Sequence, residues 1–156
     1  MMHRFSFLII MLFAALPFFG NAQDDPIKWT TEARKTGPNE YELVFTAALD
    51  KGWHVYSQFI DEGGPVPTTF SFDKGKYEKK GKVEEKGHAE KIYDKGFEMN
   101  LVYFSGKSDF VQRVKITGPT QAITGNFEFM VCNDEMCLPP KKIDFSFPVQ
   151  YESGTK

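Results

Sequence analysis

Apolar and polar side chains follow a period of two in segment after segment of this chain. Tyr41, Leu43 and Phe45 alternate with Glu42, Val44 and Thr46, and Phe97, Met99, Leu101 and Tyr103 alternate with Glu98, Asn100, Val102 and Phe104. Phe127, Phe129 and Val131 alternate with Glu128, Met130 and Cys132, and Ile143, Phe145, Phe147 and Val149 alternate with Asp144, Ser146 and Pro148. Successive side chains of a strand point to opposite faces, so this pattern specifies half-buried strands and excludes amphipathic helices over the same residues. Shorter strands are expected at Ile27–Arg34, Trp53–Tyr56, Thr68–Phe72, Tyr77–Glu84 and Val111–Thr117. Turns are expected at Gly37-Pro38-Asn39, Asp50-Lys51-Gly52, Gly63-Gly64-Pro65, Gly106-Lys107-Ser108, Gly118-Pro119 and Thr124-Gly125-Asn126. Short strands at this spacing predict an all-β fold, an immunoglobulin-like antiparallel β-sandwich, with a small barrel as the alternative.

Residues 1–22 differ in kind. Arg4 precedes an almost wholly apolar run from Phe5 to Phe19, and Gly20 and Ala22 stand at the −3 and −1 positions of a cleavage site before Gln23. This reads as a secretory signal peptide, the run being short for a membrane span. The mature protein, residues 23–156, is then expected to be one domain in the periplasm, with no stable membrane insertion after the leader is removed. The 16 Phe supply a core, and a formal net charge of −2 argues against a nucleic-acid binder. Lys74–Lys95, rich in Lys and Glu, reads as a solvated hairpin or as a mobile loop beside a site.

The chain has 2 cysteines, Cys132 and Cys137, in the segment Val131-Cys132-Asn133-Asp134-Glu135-Met136-Cys137-Leu138-Pro139-Pro140. In an exported protein an even pair reads first as a disulfide. Its short loop can contribute only about 2 kcal/mol through the unfolded state, and a bond at a strand end is exposed and exchangeable. Pro139 and Pro140 cannot extend a ladder and fix the chain after Cys137. These arguments leave a redox pair and a plain staple both open. Asp134 and Glu135 disfavour a thiolate, and Lys141 and Lys142 offset them. The spacing and the absence of a βαβ pattern exclude a thioredoxin fold.

Other chemistries fit less well. His54 and His88 with both thiolates would make a four-ligand zinc site, but the spacing matches no common zinc module and export favours oxidation, so no metal is expected. No Walker loop, dinucleotide fingerprint, nucleophile elbow or metalloprotease motif occurs. Trp53, His54 and Tyr56 read by default as residues of a short strand, and Gly63–Pro67 as a rigid loop.

Gly52-Trp53-His54-Val55-Tyr56, Ile92-Tyr93-Asp94 and Cys132-x4-Cys137-Leu138-Pro139-Pro140 together resemble the N-terminal periplasmic domain of the DsbD thiol:disulfide interchange protein, from about Ile27 to Val149. The resemblance implies an immunoglobulin-like sandwich whose cysteine pair cycles between dithiol and disulfide without a cofactor. It implies that Cys137 forms mixed disulfides and Cys132 resolves them. It implies partners among thioredoxin-like proteins, including disulfide isomerases and those of cytochrome c biogenesis, and a membrane thiol-electron transporter. A shielding cap loop would map to about Glu84–Tyr93. Glu84–Lys91 holds no aromatic residue, so Tyr93 or Phe97 would serve, with His54 and Tyr56 near the sulfurs. The spacing is one residue shorter than in the best-known members. The membrane and thioredoxin-like domains of that family do not follow Lys156, so a stand-alone domain with its electron donor on a separate chain is expected. The rival reading is a non-catalytic sandwich that binds partners through an edge or loop and carries an inert disulfide.

Overall fold

The computed structural model describes residues 25–153, and among them strands β1–β11 and no helix. The strands are β1 (Ile27–Gly37), β2 (Glu40–Leu49), β3 (His54–Tyr56), β4 (Thr69–Phe72), β5 (Tyr77–Lys86), β6 (Ala89–Asp94), β7 (Met99–Ser105), β8 (Lys107–Ile116), β9 (Ala122–Phe129), β10 (Val131–Cys132) and β11 (Lys141–Pro148). All pairings are antiparallel. One sheet has the order β1-β2-β8-β5, a second β10-β3-β7-β6 and a third β11-β9-β4. The arrangement is the immunoglobulin-like sandwich, with open sheets in place of a closed barrel. The leader expected at residues 1–22 lies outside the described residues.

The alternation decides which side chains enter the core. Tyr41, Leu43, Phe45 and Ala47 of β2 are buried, and Phe110, Val114 and Ile116 of β8 join them. The second layer contributes Val55, Phe104 and Val131 from one sheet and Ile123, Phe127, Phe129, Phe145 and Phe147 from the other. Phe45 is fully buried, with the rings of Phe70, Phe72, Phe127, Phe145 and Phe147 at centroid distances of 4.7 to 6.3 Å. Tilted and edge-on aromatic pairs of this kind contribute about 0.5–1.5 kcal/mol each beyond area burial.

Three expectations are corrected. Thr124-Gly125-Asn126 is not a turn but lies inside β9, paired with Ser146, Phe145 and Asp144. Its glycine answers a steric demand: a Cβ on Gly125 would stand 2.1 Å from the Ser71 carbonyl oxygen and 2.6 Å from the Phe145 ring. Lys74–Lys95 is not a hairpin, because β5 pairs with β8 and β6 pairs with β7, so the chain changes sheets at Gly87 and His88. Phe97 and Glu98 do not extend β7; they form the β6–β7 turn, where Glu98 adopts a left-handed φ of 55°.

One buried polar residue has a structural cause. Gly81, at φ +74°, sits in a break of the β5–β8 register between Lys80 and Glu84. The carbonyls freed there face Gln112, whose Nε2 donates to Lys80 and Gly81 oxygens at 3.4 Å and to the Arg113 oxygen at 2.8 Å.

Candidate thiol–disulfide site

The chain leaves β9 at Phe129, crosses between sheets at Met130, and forms β10 beside β3, with Val131 opposite Val55 and Cys132 opposite His54. It then turns back on itself. The Asn133 N–H donates to the Met136 carbonyl at 2.9 Å, and the Leu138 N–H donates to the Val131 carbonyl at 2.9 Å. Those two bonds bracket Cys132 and Cys137 as directly opposed residues with Cα atoms 4.0 Å apart, joined as a disulfide. Opposed residues without a mutual hydrogen bond make the closest cross-strand pairs. The tip is held by the Asn133 side chain, whose Oδ1 accepts from the Glu135 N–H at 2.9 Å and the Met136 N–H at 2.8 Å. Such self-bonding is why Asn favours turns. Pro139 and Pro140 follow, and the β11 ladder resumes at Lys141 opposite Phe129.

The two sulfur-bearing residues have opposite surroundings. Cys132 is 2 % exposed, whereas Cys137 is exposed, next to Met136 at 49 %. Cys132 packs with Tyr56 and Leu101 in a small cluster flanked by Ile60, Met99, Tyr103 and Met130. This cluster lies on the face of the β10-β3-β7-β6 sheet opposite to Val55, Phe104 and Val131, which face the main core. The cysteine pair thus sits outside the principal core, with the neighbouring Val131 inside it.

His54 and Tyr56 share that outer face. His54 Nε2 and the Tyr56 hydroxyl are 3.2 Å apart, and the imidazole lies over the Tyr103 ring with centroids 4.3 Å apart. The Tyr103 hydroxyl donates to Glu90 Oε2 at 3.3 Å. Burial pushes the His54 pKa below its ordinary 6.5, against the opposing pull of Asp134, Asp94 and Glu90. Burial, then Asp94 and Tyr103, pushes the Tyr56 hydroxyl up to about 12. Burial, with Glu90 next, also raises Tyr103.

The structure brings Cys132, Cys137, His54 and Tyr56 together and leaves Tyr93 apart. Tyr93 is 61 % exposed and pairs with Asn100, so it points to the other side of β6 from Ile92, which is opposite Leu101. The segment expected as a cap, Glu84–Tyr93, forms the end of β5 and most of β6. A different segment lies on the sulfur-side face: in Ser57–Thr68, Ile60 packs on the Cys132 cluster and Gly64 approaches Met99 and Leu101. Both its ends are tied. Ser57 donates to Glu85 Oε2 at 2.8 Å, the Gln58 N–H donates to Glu85 Oε1 at 2.7 Å, and Thr68 donates to the Tyr56 carbonyl at 2.6 Å. Sequence reasoning missed Tyr103, Leu101, Met99 and Ile60 as neighbours of the sulfur. The parity of Met99, Leu101 and Tyr103 was available, but which face meets Cys132 depends on strand register. A cleft of about 960 Å³ beside Tyr41, Val149 and Tyr151 shares no residue with the sulfur cluster.

The family model for "Thiol:disulfide interchange protein DsbD, N-terminal" matches residues 25–148. No curated protein matches the sequence. Among solved structures, the N-terminal periplasmic domain of ScsB from Proteus mirabilis is similar at a TM-score of 0.57 and 15% identity. That match covers 80% of this chain and 46% of the other, so the chain spans about half the length of that relative. The reduced Neisseria meningitidis DsbD N-terminal domain is similar at a TM-score of 0.53 and 13% identity, covering 78% of this chain and 86% of the other. At these identities the two structures speak for the fold.

Proposed function

The chain belongs to the family of DsbD thiol:disulfide interchange protein N-terminal domains, and from that premise we propose that it is a periplasmic carrier of reducing equivalents that works through Cys132 and Cys137. Cys137 exchanges with a partner through a mixed disulfide and Cys132 resolves it. Thioredoxin-like proteins and a membrane thiol-electron transporter are the partners, with cytochrome c biogenesis among the processes served. The observation that supports this reading most directly is the asymmetry of the pair: one exposed cysteine on a short hairpin, one buried cysteine behind it. Met136, 49 % exposed beside Cys137, adds apolar surface for a partner to cover.

The test has two arms. Equilibration with glutathione buffers measures the reduction potential: a carrier lies above about −300 mV, and an inert structural bond of a simple interaction module lies below it. Incubation with an oxidised thioredoxin-like protein, followed by a non-reducing gel, then assigns the roles. Cys132→Ser accumulates the mixed disulfide and Cys137→Ser forms none. Accumulation in the Cys137 variant alone reverses the assignment, and a bond that resists reduction with no adduct in either variant refutes the carrier.

A further inference from the structure

Resting on the carrier reading, we propose that His54 is the proton donor to the buried Cys132 sulfur, which makes opening of the disulfide an acid-assisted step.

The reaction places a charge where the structure accommodates it poorly. A partner thiolate attacks the Cys137 sulfur, and a new sulfur–sulfur bond forms as the Cys132–Cys137 bond breaks. The bonding pair leaves on Cys132 as a thiolate. Cys132 is 2 % exposed, among Tyr56, Leu101, Met99 and Met130, and an anion among such groups is strongly disfavoured without a proton or a charged partner. The groups the structure sets on that face are few. His54 is the direct cross-strand neighbour of Cys132, and opposed residues of an antiparallel pair project to one face with Cβ atoms about 4.5–5.5 Å apart.

His54 is built for the task. Its ring is held against Tyr103, and its Nε2 is bonded to the Tyr56 hydroxyl. Tyr56 keeps its own proton to about 12, and across its contact with neutral His54 the hydroxyl donates to Nε2 or accepts from Nε2–H according to the ring tautomer. On protonation both ring nitrogens donate and the tyrosine oxygen accepts. The charged groups that face the imidazole are Asp134 of the hairpin tip and Asp94 and Glu90 of β6, and all three favour the imidazolium. Burial opposes them and makes the imidazolium a readier acid.

The full cycle balances. The imidazolium proton moves to the Cys132 thiolate, leaving neutral His54 and a thiol. The partner's second thiolate then attacks the partner's own sulfur in the mixed disulfide and displaces Cys137, which takes its proton from solvent. The partner departs as a disulfide, oxidised by two electrons, and Cys132 and Cys137 remain as the dithiol. In the reverse direction neutral His54 accepts the Cys132 proton as that sulfur attacks.

Dithiothreitol serves as the probe, with the opening rate divided at each pH by the concentration of its thiolate. In the wild type the normalised rate rises at least about tenfold from pH 8 to pH 5, following the imidazolium. In His54→Phe and His54→Gln, which remove the titrating group while retaining ring shape or hydrogen bonding, it changes by less than about twofold. Asp134→Asn, which keeps His54, retains the rise but moves its midpoint to lower pH. A flat wild-type profile, or variants as steep as wild type, overturns the assignment while the protein remains reducible. A disulfide that dithiothreitol does not open at any pH defeats the carrier reading itself, a separate and recognisable result.

Discussion

Tyr56 shows how one residue on the sulfur-side face couples protonation to folding. It is buried in the Cys132 cluster, and its hydroxyl is raised from 10.0 to about 12 by burial first, then Asp94 and Tyr103. The native state thus holds this proton more tightly than the unfolded chain does. Stability from this group is complete below pH 10.0 and declines as pH rises through the window to about 12. Chemical denaturation at a series of alkaline pH values is expected to show that decline, and Tyr56→Phe, which has no proton to lose, is expected to decline less steeply. Tyr77 and Tyr103, also raised, leave a residual slope in the variant. Equal slopes for the two proteins would mean that the Tyr56 hydroxyl titrates normally. At this scale the sequence was partly legible: the cysteines stand out by type and spacing, whereas His54 and Tyr56 read as ordinary strand residues and were set near the sulfurs only by the family resemblance. Tyr103 and Glu90 do not stand out, because Tyr103 reaches the Cys132 cluster through the pairing of β3 with β7, and Glu90 reaches Tyr103 through that of β7 with β6.

At the scale of strands, Gly125 is the most demanding position. Its φ of 159° lies at the edge of the range that L side chains rarely adopt, and a steric requirement adds to that. The requirement is space between the Ser71 carbonyl and the Phe145 ring. Gly125→Ala must push β4 or β11 away from β9, and a loss of at least about 2 kcal/mol is expected in urea melts, as for overpacked cores generally. A loss within about 0.5 kcal/mol, the range of an ordinary surface change, would show that the sheet yields there. The same residue explains a misreading, since Thr-Gly-Asn carries the composition of a turn while the packing uses it as a strand. β6 was hidden for a different reason. Ala89–Asp94 is an edge strand whose side chains are mostly exposed and mix apolar with charged types, so it has no alternation to detect. The strands that line the aromatic core were legible because burial on one face imposes the period of two, which is the signal a sequence can carry without tertiary information.

At the scale of the whole molecule, the disulfide and the core are separate sources of order. The bond spans a sequence separation of 5 and lies on the face away from Phe45 and its neighbours. Replacing both cysteines with serine is expected to leave the fold intact at a cost of about 2 kcal/mol, the loop-closure contribution of so short a ring. Urea melts of the two proteins check this, and an unfolded double variant would show that the sandwich depends on the bond. The separation has a consequence for how such a domain can change over time. Residues 130–140 leave the β9–β11 ladder at Phe129 and return to it at Lys141, directly opposite. The ladder closes beneath the excursion, and Val131, Leu138 and the β10–β3 pairing tie the base of the excursion to the scaffold while residues 133–136 stay outside the core. Lengthening the ring by one residue alters the closure entropy by only about 0.1–0.2 kcal/mol. The hairpin behaves as an interchangeable cartridge: its ring size, its acidic tip and the reach of its outer sulfur can be retuned by insertion or deletion, and the scaffold registers almost none of it.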